Sequence, residues 1–227
     1  MKLPTFESII ATATGFKGSR EAVFSQLPNC RSADELAALP DSYFLSAMSR
    51  RIFQAGLKHS LVDARWPEFE QAFAGFDPSS LTMMSDDDLD RHMANKALIR
   101  HLGKMKSIRL NAALVLTTSR ECGGFGRFLG QWPTADVVGL WQWLKRNGNQ
   151  LGGMSGARFL RLVAKDTFLL TDDVLARLSV LGVVAKMPTA KRDLEAVQSV
   201  FNQWHEESGL PYCQISRILS LTADIQS

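Results

Sequence analysis

Three cysteines in 227 residues, Cys30, Cys122 and Cys213, are few and widely spaced. No two of them form a CxxC pair, which argues against a disulfide framework, a zinc knuckle or a four-cysteine iron–sulfur cluster. They read as buried thiols in a reducing compartment, and the protein as cytoplasmic. Long apolar runs are missing as well. None is long enough to span a bilayer, and the opening MKLPTFESII lacks the apolar centre of a signal peptide, so no membrane contact is expected. The phosphate-binding pattern GxxxxGK followed by Ser or Thr is absent, even from the glycine-rich stretch RECGGFGRFLGQWP at 120–133. No alternating strand pattern of convincing length occurs, and there is no internal repeat or low-complexity tract. Charge of one sign is scarce too. Twenty-six basic against 23 acidic residues leave a net +3, which permits a local basic patch but does not by itself argue for nucleic acid.

What the chain does have is apolar residues, 45% of it, at helical spacing. Residues 1–41 read as two or three short helices. Pro40-Asp41-Ser42 is a break, with Ser42 as a cap for a helix that buries Phe44, Leu45, Met48 and Ile52. That helix ends near Gln54-Ala55-Gly56-Leu57, where Gly56 can take a left-handed turn. Trp66, Phe69 and Phe73 mark the next helix. Ser85-Asp86-Asp87-Asp88 reads as a capped helix start rather than a metal site, because no other ligands converge there. A long helix is expected from about Ala97 to Thr117, with Ile99, Leu102, Met105, Ile108, Ala112 and Val115 as its stripe. Residues 120–133 read as a loop. Val137, Val138, Trp141 and Leu144 line another helix. Pro188-Thr189 opens one that carries Leu194, Val197, Val200, Phe201 and Trp204, and Ile215, Ile218 and Leu219 mark the last. The spacing predicts an all-α fold.

The stretch Leu151–Leu178 stands out chemically. Gly152, Gly153 and Gly156 make a tight turn around Met154 and Ser155, and a helix with Phe159, Leu162 and Val163 on one face follows. A helix that starts at a glycine turn offers unpaired N–H groups to an anion such as a phosphate. Two acids, Asp172 and Asp173, come next, before Val174, Leu175 and Leu178.

This stretch resembles the hairpin and aspartate of the helix-hairpin-helix DNA glycosylases. Gly153 stands where the superfamily has its first hairpin glycine, and Ser155 where the second usually is. A second resemblance lies upstream. Gln54-Ala55-Gly56-Leu57 and the segment IRHLGKMKSIRLNA at 99–112 are similar to the 3-methyladenine DNA glycosylase I family, in the same order. The departures from that family are Arg51 at its base-contacting glutamate, His59 at the tryptophan after its leucine-serine, and the absence of its zinc ligands.

The resemblance implies two helical lobes. Residues 42–168 would form a barrel-like bundle that ends in the hairpin, and residues 1–41 with 169–227 the other lobe. It implies a monofunctional glycosylase, acting as a monomer on double-stranded DNA with a damaged base, without metal or cofactor. Asp172, and second to it Asp173, would be the catalytic acid, because a carboxylate near C1′ stabilises the positive charge that develops as the base leaves. Gly153, Ser155, Gly156 and Arg158 would meet DNA phosphates, and Gly56 with Leu57 would probe the base stack. Arg51 and His59 would face the flipped base. At that point Arg51 would disfavour a cationic base, since like charges within about 4 Å repel by about 4 kcal/mol at an effective dielectric near 20. The hairpin contains no lysine nucleophile, which argues against lyase chemistry. The alternative reading is a helix-hairpin-helix module that recognises damaged DNA without cleaving it.

Overall fold

The computed structural model describes residues 3–223; residues 1–2 and 224–227, which the expected terminal lobe includes, lie outside the described residues. Among the described residues every regular element is a helix. Besides short 3-10 turns at Ala74–Phe76 and Thr134–Asp136, the α-helices in chain order are α1 (Phe6–Lys17), α2 (Arg20–Phe24), α3 (Ala33–Ala37), α4 (Asp41–Gln54), α5 (His59–Ala72), α6 (Pro78–Thr82) and α7 (Asp86–Ala94). Then come α8 (Leu102–Cys122), α9 (Phe125–Gln131), α10 (Val137–Asn147), α11 (Met154–Leu162), α12 (Asp172–Val180), α13 (Lys191–Ser208) and α14 (Tyr212–Leu221). The expected all-α class is the observed one.

The chain divides into two compact units. The larger comprises Arg31–Trp132 and Trp141–Lys165; the smaller comprises the described residues of Met1–Cys30, Pro133–Leu140 and Asp166–Ser227. The boundary thus falls at residue 31 rather than 41, because α3 packs on α9. Two glycines of α9 leave room for the α3 backbone. A Cβ on Gly130 would sit 2.8 Å from the Ala33 carbonyl oxygen, and one on Gly126 would collide with that of Leu36. Residues 133–140 join the smaller unit, where the Gln198 side chain accepts the Val138 N–H at 3.0 Å and Asn202 donates to the Ala135 carbonyl at 3.3 Å.

In the larger unit, α5 and the turn after it present Trp66, Phe69, Phe73 and Phe76 at spacings of three and four, and all four are buried. Phe53 of α4 meets Phe69 edge-on at 4.7 Å, and Trp66 stacks on Phe69 at 5.0 Å. Each such ring contributes about 1.5–3 kcal/mol by leaving water. The N-cap of α4 is Pro40 and not Ser42; Asp41 instead accepts the backbone N–H of Phe125 at 2.9 Å, tying α4 to α9.

Two boundaries differ from the sequence expectation, each for a local reason. Residues 97–101 are not helical. Asn95 folds back to accept the Ala97 N–H at 2.9 Å, and Arg65 donates to the carbonyls of Lys96 and Ala97. Helix α8 therefore starts only after His101, whose ring accepts the Lys104 N–H at 3.3 Å. At the other end α8 runs on to Cys122 and turns at Gly123 and Gly124, with φ 73° and 130°. The expected loop at 120–133 is thus mostly helix, and its later glycines serve close packing. Ser85 and Asp88 form the reciprocal cap expected of the acidic start of α7.

The smaller unit gathers α1, α2, α12, α13 and α14. Helix α13 buries Leu194, Val197, Phe201 and Trp204, as their spacing predicts, but leaves Val200 half-buried and begins at Lys191. Phe201 stacks on Phe168 at 4.2 Å, and Trp204 meets Phe6 at 5.9 Å. Asp166 caps α14 by accepting the N–H groups of Tyr212 and Cys213 at 3.1 and 2.8 Å.

Candidate functional site

The site elements of the larger unit are two turns held from one helix. The first turn ends α4. Gly56 sits at φ 78°, a left-handed conformation that glycine adopts without strain, and it places Leu57 half-buried at the surface. The last carbonyls of α4 would be left unpaired by the turn. Lys104 of α8 takes two of them: its Nζ donates to Phe53 at 3.2 Å and to Ala55 at 2.6 Å. Burial pulls the Lys104 ammonium below its ordinary range, and the nearby Arg51 adds to that.

The second turn is the hairpin. Asn111 of α8 is buried and exchanges two hydrogen bonds with the backbone of Asn149, at 3.1 and 2.8 Å. Gln150 donates to the Gly103 carbonyl at 2.7 Å. Gly153 then takes φ 56° and ψ −134°, a region open essentially to glycine alone, and α11 starts at the next residue. Two expected phosphate donors have other duties. Ser155 lies inside the first turn of α11, so its replacement of glycine costs no backbone strain, but its N–H is spent on the Gly152 carbonyl at 3.1 Å. Gly156 is buried, and a Cβ there would sit 3.0 Å from the Leu151 carbonyl oxygen. Its role is close packing, not contact with a ligand. Gly153 and Arg158 are exposed.

Arg51 lies in the last turn of α4, six residues before Leu57, and is 7% exposed. Its Nη1 is 3.5 Å from Nε2 of the exposed His59, and its Nε is buried with no hydrogen-bond partner. Burial lowers its pKa, and the charge of Arg158 on α11 lowers it further. Arg51 and His59, both expected at the flipped base, are therefore neighbours, and Arg158, expected at a phosphate, adds its charge to Arg51. Asp63 is not available to Arg51, because it pairs with Arg50 at 2.8 Å and accepts from Gln54 at 2.8 Å. Among the described residues no carboxylate pairs with Arg51, Lys104 or Arg158.

Asp172 and Asp173 belong to the smaller unit. They form the first turn of α12, and both are exposed. Thr171, not either aspartate, is the cap, accepting the Val174 N–H at 3.4 Å, which leaves both carboxylates clear of that duty. Val174 and Leu178 are the buried side of this helix. Cys30 and Cys213, 183 positions apart, come together with Asp166 so that one ligand atom of each lies within 4.8 Å of the others. No spacing rule links them in sequence. Both Asp166 oxygens already accept backbone N–H groups of α14.

Lys104 and Asn111 both lie in the 99–112 segment whose wording resembles a known family, and Lys104 reaches the other such segment at Ala55. Residues 40–144 match the methyladenine glycosylase family. This match contains the Gly56–Leu57 turn and all of α8, and it stops before the hairpin. A DNA-3-methyladenine glycosylase of Haemophilus influenzae is 37% identical over 76 residues, which is 34% of this chain. The chain spans 41% of the length of that relative. The 3-methyladenine DNA glycosylase I of Staphylococcus aureus superposes with a TM-score of 0.52 at 19% identity, over 67% of this chain and 88% of that one. The 8-oxoguanine DNA glycosylase of Methanocaldococcus jannaschii superposes with a TM-score of 0.57 at 13% identity, over 92% of this chain and 91% of that one. At such identities the likeness is one of fold. The helical fold of this chain is the one these DNA glycosylases use. Among the described residues no helix is long and apolar enough to cross a membrane.

Proposed function

We propose that the protein is a monofunctional DNA glycosylase that hydrolyses the N-glycosidic bond of a damaged base in duplex DNA. The observation that carries this reading is the use of α8 as a common brace. Lys104 closes the Gly56–Leu57 turn and Asn111 fastens the approach to the hairpin, both within the family match or tied to it. In the proposed mechanism, the backbone N–H groups of Gly153 and Met154 at the turn into α11, with Arg158 beside them, hold phosphates and set the register of the duplex. Leu57 enters the stack where the damaged nucleotide leaves it. The bond from C1′ to the base nitrogen breaks with its electron pair leaving on the base. Positive charge develops on the sugar, and the Asp172 carboxylate stabilises it and orients a water. Water oxygen bonds to C1′ and its proton passes to the carboxylate. Asp173 is the second candidate for this role.

Lyase chemistry is disfavoured. The hairpin has no lysine, and Lys165 is 5% exposed with its Nζ donated to the Trp132 carbonyl at 3.1 Å. The test is single-turnover incubation with duplexes carrying alkylated, deaminated or oxidised bases, followed by alkaline strand cleavage. Base release from any of these supports the reading. Binding without release from all of them would assign the protein as a damage-recognition module instead.

A further inference from the structure

Two buried cations stand close together near the end of α4, and their partners differ. Lys104 is satisfied: two carbonyls accept from it, and its Nζ lies 5.9 Å over the Phe53 ring. Arg51 is not. A guanidinium has five N–H donors. In this structure one of its nitrogens makes a single long contact with His59, and the buried Nε has no partner. Arg158 adds like charge, and Asp63 is held by Arg50 and Gln54. A cation taken out of water without an acceptor or counter-charge costs several kcal/mol, and neighbouring cations raise that cost. The arrangement is short of acceptors and of negative charge.

Resting on the glycosylase reading above, we infer that Arg51 selects a flipped base that is neutral or anionic and presents adjacent hydrogen-bond acceptors, an oxopurine with its O6/N7 edge, rather than a cationic alkylated base. Arginine pairs with that edge through two parallel donors. A base with a formal positive charge at Arg51 meets a cation that Arg158 and Lys104 already crowd with like charge, and among the described residues no carboxylate pairs with any of the three. A carbonyl brings electron density to the group that lacks it. Arg51 is thus a specificity residue that reads the base, while Lys104, spent on the backbone, keeps the turn in place.

The experiment compares single-turnover release of hypoxanthine and xanthine, which keep both O6 and N7 as acceptors, with release of N3-methyladenine and N7-methylguanine, for the unmodified protein and for Arg51→Gln. The expected result is preference for the oxopurines, shrinking roughly tenfold or more in the variant. Preference for the cationic bases overturns the inference but leaves the glycosylase reading standing. So does a preference that Arg51→Gln leaves unchanged. An acceptor can also come from a DNA phosphate. In that case Arg51→Gln weakens binding to undamaged duplex as much as to lesion duplex, and the inference fails. If no base is released at all, the glycosylase reading fails, and binding to duplexes that carry the intact nucleotides then decides the selectivity. A duplex with hypoxanthine should bind more tightly than one with the cationic N7-methylguanine, and Arg51→Gln should remove the difference. Equal affinity for the two duplexes overturns it. Should Arg51→Gln not fold, Arg51→Lys keeps the charge without the paired donors and is read in the same way.

Discussion

Asp172 and Asp173 open α12 with Thr171 capping the helix, so either can be altered with little effect on folding. Loss of one charge in a first turn costs about 0.3–1 kcal/mol. Asp172→Asn should slow base release by about 10²–10³-fold, the scale of losing one preorganised electrostatic group, with duplex affinity nearly unchanged. Asp173→Asn should cost less. A reversed ranking in single-turnover rates would move the catalytic role one residue along; no effect of either would end the carboxylate mechanism. His92 offers a separate test of stability. Its ring stacks on Phe73 at 4.3 Å, and burial, helped by Arg91, holds its pKa below the ordinary 6.5. The unfolded chain therefore binds that proton more readily than the folded one. The stability His92 contributes is complete above pH 6.5 and is lost as pH falls through its lower folded value. His92→Gln should flatten the fall in stability just below pH 6.5, measured by chemical denaturation at a series of pH values. An identical pH profile for the variant would remove His92 from the account.

Among the elements, the hairpin is the one where backbone geometry and binding meet. Gly153 has open space around it but sits at φ 56° and ψ −134°. Gly153→Ala should therefore cost about 1–3 kcal/mol through the backbone alone, without a clash. It should also weaken duplex binding, because the first N–H groups of α11 would be re-aimed. Calorimetry and a titration with labelled duplex check the two effects; an unchanged melting temperature would show that the turn relaxes freely. The same scale shows what spacing conveys and what it misses. Helix α13 buries four of the five residues whose periodicity predicts it and leaves Val200 half-buried, since one apolar face has one way to leave water. Helix α8 starts five residues later than its apolar stripe suggests. Asn95 and Arg65 draw the backbone groups before it into other hydrogen bonds, and one of the two comes from a different helix. Helix α9 hides among glycines that read as a loop, because their value lies in the approach of α3.

For the whole molecule, a net charge of +3 predicts no strong general attraction to DNA, so binding should depend on a few placed contacts. About three phosphate contacts would lower affinity roughly 40-fold for a fourfold rise in salt. A duplex titration at about 50 and 200 mM salt checks this, and affinity that stays flat would rule out binding through the hairpin.

Taken alone, the amino-acid order determined the helical class, most of the buried faces and the two motifs that lead to the glycosylases. Those rest on periodicity and local wording, which reach across a few residues. The tertiary structure decided what the motif residues do. Lys104 and Asn111 are legible as parts of a pattern, but that one caps a helix 49 residues away and the other fastens a loop 38 residues away depends on packing. The same holds for Gly156, which is read as a donor in the sequence and is a packing residue in the fold. It holds most of all for Arg51. Its identity is visible at once, but its burial beside Lys104 and Arg158 without an acid comes from three helices meeting, and no stretch of sequence states that.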